Sequence, residues 1–145
     1  MPVAAPFQHA LAQHEIDLPQ SQLELLDRYV QTLWQWNEKL NLTRHTDYDK
    51  FVSRDLIDSL TFARFLQSGE RVLDVGTGGG VPGIVLAIVR NDLHVELCES
   101  IAKKARAVTD IIAQIGLAIP AHHARAEALL TNHRYDTLVI RAVAR

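Results

Sequence analysis

The spacing of apolar positions changes several times along the chain, and each change marks an element. Phe7, Ala10 and Leu11 share one side of a short helix that Asp17-Leu18-Pro19 breaks. Leu26, Tyr29, Val30, Leu33, Trp36 and Leu40 then recur at spacings of three and four, which predicts an amphipathic helix. Ser21 with Glu24 predicts its capping box, and core packing is expected of at least one of Trp34 and Trp36. Asn37 to Thr43 leaves that helix. Thr46 with Asp49 predicts a second capping box ahead of Phe51, Val52, Leu56, Ile57, Leu60 and Phe65, the apolar face of one or two more helices. Lys39, Arg44, His45, Lys50 and Arg54 lie between these positions and read as a solvated helix surface, with RNA contact as the alternative. Asp47, Asp49 and Asp55 dilute that positive patch.

At Ser68-Gly69-Glu70 the pattern changes, which divides a helical region, 1–67, from a sheet domain, 68–145. Val72-Leu73-Asp74-Val75 predicts a strand, residues 81–89 a helix apolar on every side, and 94–99 a second strand ending in Glu99. Pro82 fits the first turn of the helix at 81–89. Ser100 is expected to cap the following helix, whose stripe is Ile101, Ala105, Val108, Ile112 and Ile115, and Gly116 ends it. Residues 118–122 and 135–141 predict third and fourth strands. The fold class is α/β: a Rossmann-like sheet preceded by the small helical region. The fourth strand is expected as an exposed edge carrying Leu138, Val139 and Ile140.

Five glycines fall within the eight positions from Gly76 to Gly83, between a strand and a helix. Such a turn lets a ligand approach bare backbone in front of unpaired helix N–H groups. A P-loop needs Lys and Ser or Thr after the last glycine; Ile84 and Val85 exclude it. A dinucleotide loop is matched by Gly78, Gly80 and Gly83. An S-adenosylmethionine loop is matched by Asp74, Gly76, Gly78 and Gly80, and it explains Asp74, whose carboxylate can neutralise a ligand's ammonium group. That reading is favoured, with a dinucleotide loop or a purely structural turn as alternatives. Glu99, 25 residues beyond Asp74, can accept both hydroxyls of a ribose, which either ligand carries.

Composition narrows the classes further. The 145 residues are 48% hydrophobic and 22% charged, ordinary for a globular chain with a core. A net charge of −2 supplies no global field for nucleic acid, so any such partner would be held by local patches. No apolar run reaches about 18 residues, so no membrane span is expected, and residues 1–7 lack the basic start of a secretory signal. Cys98, the sole cysteine, excludes an internal disulfide, reads as core, and suits the cytoplasm. His122 and His123 have no partner at metal-ligand spacing, so no metal is expected.

Trp36-Asn37, Asn41-Leu42-Thr43, Asp58-Ser59-Leu60, the string from Val72 to Ile84, and Arg141-Ala142-Val143-Ala144 follow one another in an order and spacing that resembles a known family. It is the bacterial ribosomal RNA small subunit methyltransferase G family, also called glucose-inhibited division protein B. The resemblance runs from about Leu23 to the last residue. It implies a methyltransferase sheet with strands in the order 3-2-1-4, and methylation of N7 of a guanine in 16S rRNA of the small ribosomal subunit, with S-adenosylmethionine as donor; a monomer is expected. It also implies cofactor contacts at Gly76, Val81 and Glu99, with Ala126 and Glu127 by the adenine and Arg141 at the end of the fourth strand. Candidate RNA contacts are Lys39, Arg44, Arg54, Arg141 and Arg145. No catalytic base is assigned, because N7 of guanine carries a free lone pair. Two departures stand out. Asp55 occupies a position where the family usually has His, and the sheet of such enzymes has more strands than the four counted here, which reads as a chain shortened at its C-terminal end. A cofactor-binding remnant without activity and an NAD(P)-dependent oxidoreductase are the other function classes.

Overall fold

The computed structural model describes residues 2–141. Strands β1 (Arg71–Val75), β2 (His94–Glu99), β3 (Ala121–His123) and β4 (Thr137–Val139) form a sheet in the order β3-β2-β1-β4. All three pairings are parallel, and Asp74 lies opposite Leu97 on one side and Val139 on the other. The chain moves outward from β1 to β2 to β3, then returns to the far side of β1. That reversal opens a crevice beyond the C-terminal end of β1, where such sheets bind ligands.

Side chains alternate across the sheet as the period of a strand requires. Val72, Val95 and Leu97 join a large apolar cluster with the helices, whereas Leu73 and Cys98 face Leu129 on the other side. Helices α1 (Ala5–Gln13) and α2 (Gln20–Asn37) contribute Phe7, Leu26, Tyr29 and Leu33 to the large cluster. The helical region and the sheet therefore share one core. Trp34 and Trp36 are both half-buried against it, each donating its indole N–H, to the His45 carbonyl oxygen and to Asp110 respectively.

A third helical segment runs without interruption through α3 (Tyr48–Lys50), a π-helical turn (Phe51–Leu56) and α4 (Ile57–Arg64). Beyond β1 come α5 (Gly83–Val89), α6 (Ala102–Ile115) and α7 (Ala126–Asn132). α5 buries Ile84, Val85, Leu86 and Ile88, consistent with its lack of a polar face. Gly116 closes α6 at φ 76°, a left-handed conformation that glycine adopts without strain.

Several local expectations need correction. Ser21 does not cap α2, which starts at Gln20 behind Pro19. The second cap is Asp47, not Thr46, and its side chain accepts the Lys50 N–H. Ser100 is displaced from capping by Ile101, whose own N–H is taken by Glu99. Pro82 stands just before α5 rather than in its first turn. The outer strands, three residues each, are shorter than the runs 118–122 and 135–141 that predicted them. Phe65 leaves the apolar face and is 82% exposed. At the β4 edge, Val139 is buried while Leu138 and Ile140 are exposed.

Candidate functional site

The turn after β1 is built by glycine conformation. Gly76, Gly78 and Gly80 have φ of 65°, 58° and 104°, which L side chains rarely adopt. The N–H groups of Gly76 and Thr77 both donate to the Cys98 carbonyl oxygen at 3.1 Å, folding the turn over the end of β2. A Cβ added at Gly76 or Gly78 would meet no atom within 4 Å, so the outer surface of the turn is open there. Its inner surface is not: Gly79 lies against Leu33 and Leu42.

Two carboxylates flank this turn. Asp74 is 1% exposed, and its Oδ2 accepts from Thr77 Oγ1 at 2.6 Å and from the Gly83 N–H at 2.8 Å. Burial raises its pKa to about 6, against the opposing pull of these two hydrogen bonds; the Glu99 charge raises it further and Arg141 lowers it. Gly83 is required for this arrangement, because a Cβ there would lie 2.7 Å from Asp74 Oδ2 and 3.0 Å from Leu97 Cγ. Glu99, 6% exposed, accepts the Gly78 N–H on Oε1 at 2.9 Å and the Ile101 N–H on Oε2 at 3.1 Å. Both acids therefore hold the turn.

The remaining expected contacts gather at the same end of the sheet. Val81 is half-buried at the close of the turn. The Ala124 N–H donates to the Glu99 carbonyl oxygen, bringing Ala126 and the exposed Glu127, at the start of α7, behind β2. Arg141 follows β4 and reaches back to the helical segment: its Nη1 donates to Asp55 Oδ1 at 2.6 Å, and its Nη2 lies 3.1 Å from Asp58 Oδ2. His45 Nδ1 shares the same Asp55 oxygen at 2.8 Å.

This last group overturns the reading of His45 as part of a solvated surface and gives Asp55 a role beyond diluting a positive patch. Asp55 is 1% exposed, and His45 is half-buried against it. The sequence carried one signal, since Asp55 shares helical spacing with Val52 and Leu56 on the apolar face. Thr77 was missed altogether; only its place three residues after the acid hinted at its bond to Asp74. Of the RNA candidates, Arg44 and Arg54 are exposed, and Lys39 is exposed with its ammonium 5.8 Å from the Trp36 ring centre. Arg145 lies outside the described residues. His122 is held by Glu96, which accepts from His122 Nε2 and the Tyr135 hydroxyl at 2.8 Å each.

A parallel sheet in this order, with an acid near the end of β1 ahead of an open glycine turn, is the cofactor-binding sheet of the Rossmann-like S-adenosylmethionine-dependent methyltransferases. Solved structures share the architecture. A protein-L-isoaspartate O-methyltransferase from Plasmodium falciparum in complex with S-adenosyl-L-homocysteine superposes with a TM-score of 0.58 at 12% identity, over 97% of this chain and 73% of that one. MtNAS in complex with MTA and tNA gives 0.55 at 18% identity, over 98% and 53%. At sequence level, residues 22–145 match the model of the GidB family, rRNA small subunit methyltransferase G. The chain belongs to that family. The ribosomal RNA small subunit methyltransferase G of Rhodopirellula baltica is 45% identical over 141 residues, 97% of this chain and 61% of the relative. That of Chromobacterium violaceum is 39% identical over 139 residues, covering 95% and 66%. The chain thus spans a little under two thirds of the length of these relatives.

Proposed function

We propose that this chain forms the donor-binding part of an enzyme that methylates N7 of a guanine in 16S rRNA of the small ribosomal subunit, in the cytoplasm. The observation that carries this reading is the pair of buried carboxylates, Asp74 and Glu99, on either side of a turn whose outer surface is open at Gly76 and Gly78. S-adenosylmethionine fits such a cradle, because it brings an ammonium and a carboxylate on one end and two ribose hydroxyls near the other. Both protein bonds to Asp74 fall on Oδ2, which leaves Oδ1 to face the ammonium. Arg141 is the complementary cation for the amino-acid carboxylate. Glu99 takes the ribose hydroxyls, and Gly76, Gly78, Gly80 and Val81 offer backbone and a flat apolar wall. Ala126 and Glu127 lie by the adenine.

When bound, the cofactor supplies an electrophilic methyl on a sulfonium. The chain's own task is positioning. Guanine N7 has an in-plane lone pair and no proton to lose, so no side chain has to act as a base. Alignment of nucleophile and methyl can lower the barrier by at most about 7–11 kcal/mol. Lys39, Arg44, Arg54 and Arg145 are proposed phosphate contacts for the RNA. A dinucleotide loop does not explain the buried acid at position 74, and family membership weighs against it.

Calorimetry with S-adenosylhomocysteine and with NADH tests the donor, and labelled donor with undermethylated small subunits tests the acceptor. Binding of the first ligand alone, and label recovered only at guanine N7, are the expected results. NADH binding, or label on an exocyclic amine or a ribose oxygen, would overturn the proposal.

A further inference from the structure

We propose that Asp55 and Asp58 are positioning residues, a two-carboxylate clamp that sets the guanidinium of Arg141 at the cofactor turn before any ligand arrives. The inference rests on the reading of Arg141 as a cofactor contact. Asp55 lies near the end of the π-helical turn and Asp58 in the first turn of α4, so their spacing of three residues puts both on one helical face. π-helical turns often occur where function needs a side chain redirected. Each terminal nitrogen of Arg141 meets a different carboxylate, at 2.6 Å and 3.1 Å, which fixes the plane of the guanidinium rather than only its location. A guanidinium has more donors than these two contacts use.

The cost of the arrangement argues for a purpose. A carboxylate that is 1% exposed is expensive to keep ionised unless it is paired. Asp55 obtains two partners, Arg141 and His45, on one oxygen. The family resemblance implies His at position 55, which could not form an ion pair with Arg141, so the Asp55 half of the clamp belongs to this chain's own sequence, whereas Asp58 lies in the Asp58-Ser59-Leu60 motif that carries the resemblance. The guanidinium is also within electrostatic reach of the loop acid, since its charge favours the ionised form of Asp74. A long side chain loses rotamer freedom when it grips a ligand, and the clamp takes that loss in advance.

The test is calorimetry on the full chain with S-adenosylhomocysteine, and with 5′-methylthioadenosine, which lacks the amino-acid end. The variants are Asp58→Asn, Asp55→Asn, Arg141→Gln and the double change Asp58→Asn with Arg141→Gln. Asp58 is half in solvent, so its replacement keeps the fold even where Asp55→Asn does not. Asp58→Asn is expected to weaken S-adenosylhomocysteine by up to about tenfold, with the melting temperature and 5′-methylthioadenosine affinity unchanged. In the Arg141→Gln background it should change nothing further. Unaltered affinity in Asp58→Asn, or an equal loss with and without Arg141, would overturn the clamp. If Arg141→Gln itself binds like the parent, the cofactor reading of Arg141 falls, and the clamp falls with it.

Discussion

The buried hydroxyl of Tyr29 donates to the carbonyl oxygen of Gly79 at 2.7 Å, joining α2 to the glycine turn across 50 positions of sequence. Tyr29 has no exposed surface, and burial first, then the charges of Asp55 and Asp74, hold its pKa well above the ordinary value, so the hydroxyl remains a donor. The helical region thus acts as a wall against which the turn is formed, with Leu33 and Leu42 pressed on Gly79.

Replacing Tyr29 by Phe removes this bond and leaves the Gly79 carbonyl without that donor in a buried place. The expected cost is about 1–3 kcal/mol of stability, read as a melting temperature lower by several degrees. An unchanged melting curve would mean that the contact carries no net energy.

Gly83→Ala tests the close approach of α5 to β1. The new Cβ would lie 2.7 Å from Asp74 Oδ2, 2.9 Å from Asp74 Cβ and 3.0 Å from Leu97 Cγ, all on strands that cannot retreat. Overpacking of this kind costs about 1–3 kcal/mol, and it should also displace the Asp74 carboxylate and weaken S-adenosylhomocysteine binding. Denaturant unfolding and calorimetry on the same variant check both effects.

What sequence made legible was local, and what it hid was set at long range. The α/β class could be read because strand, glycine turn and helix follow one another within a few residues, and a parallel connection has little choice of hand; the order 3-2-1-4 rested on the family resemblance. The same proximity placed Asp74 and Glu99 at strand tips. Arg141 and Asp55 are 86 positions apart, and no periodicity connects them. Asp27 tells the same story: it interrupts the stripe between Leu26 and Tyr29, yet it is buried because the Ala4 N–H, the Gln31 amide and the Tyr48 hydroxyl all donate to it. The caps failed for a related reason. Ser21, Thr46 and Ser100 carry the right chemistry, but the residues that stand at the helix starts are Pro19, Asp47 and Ile101.

The proposed division of labour between the two carboxylates can be separated by ligand. Glu99→Gln should weaken S-adenosylhomocysteine and 5′-methylthioadenosine alike, by about tenfold or more, because both carry the ribose. Asp74→Asn keeps an acceptor for Thr77 and Gly83 and should weaken only the ligand with an ammonium group. Titration calorimetry on both variants checks this, and an Asp74→Asn loss shared equally by the two ligands would remove the assigned contact.

Acidity gives the sharpest test of Asp74. Its pKa in the folded chain is raised to about 6, mainly by burial, above the ordinary aspartate value of about 3.9. The folded state therefore favours the protonated form. This contribution to stability is fully present below about pH 4 and is lost as the pH rises through about 6, on the order of 3 kcal/mol in all. Ligand binding runs the other way, because an ammonium group favours the ionised carboxylate. Affinity for S-adenosylhomocysteine should fall by about tenfold for each pH unit below 6 and level off above it, with protons released on binding near pH 5. In Asp74→Asn the profile should be flat. Calorimetry in buffers of different ionisation enthalpy measures both the affinity and the proton release; a parent chain that binds equally well at pH 5 and pH 7 has its ligand's charge somewhere other than Asp74.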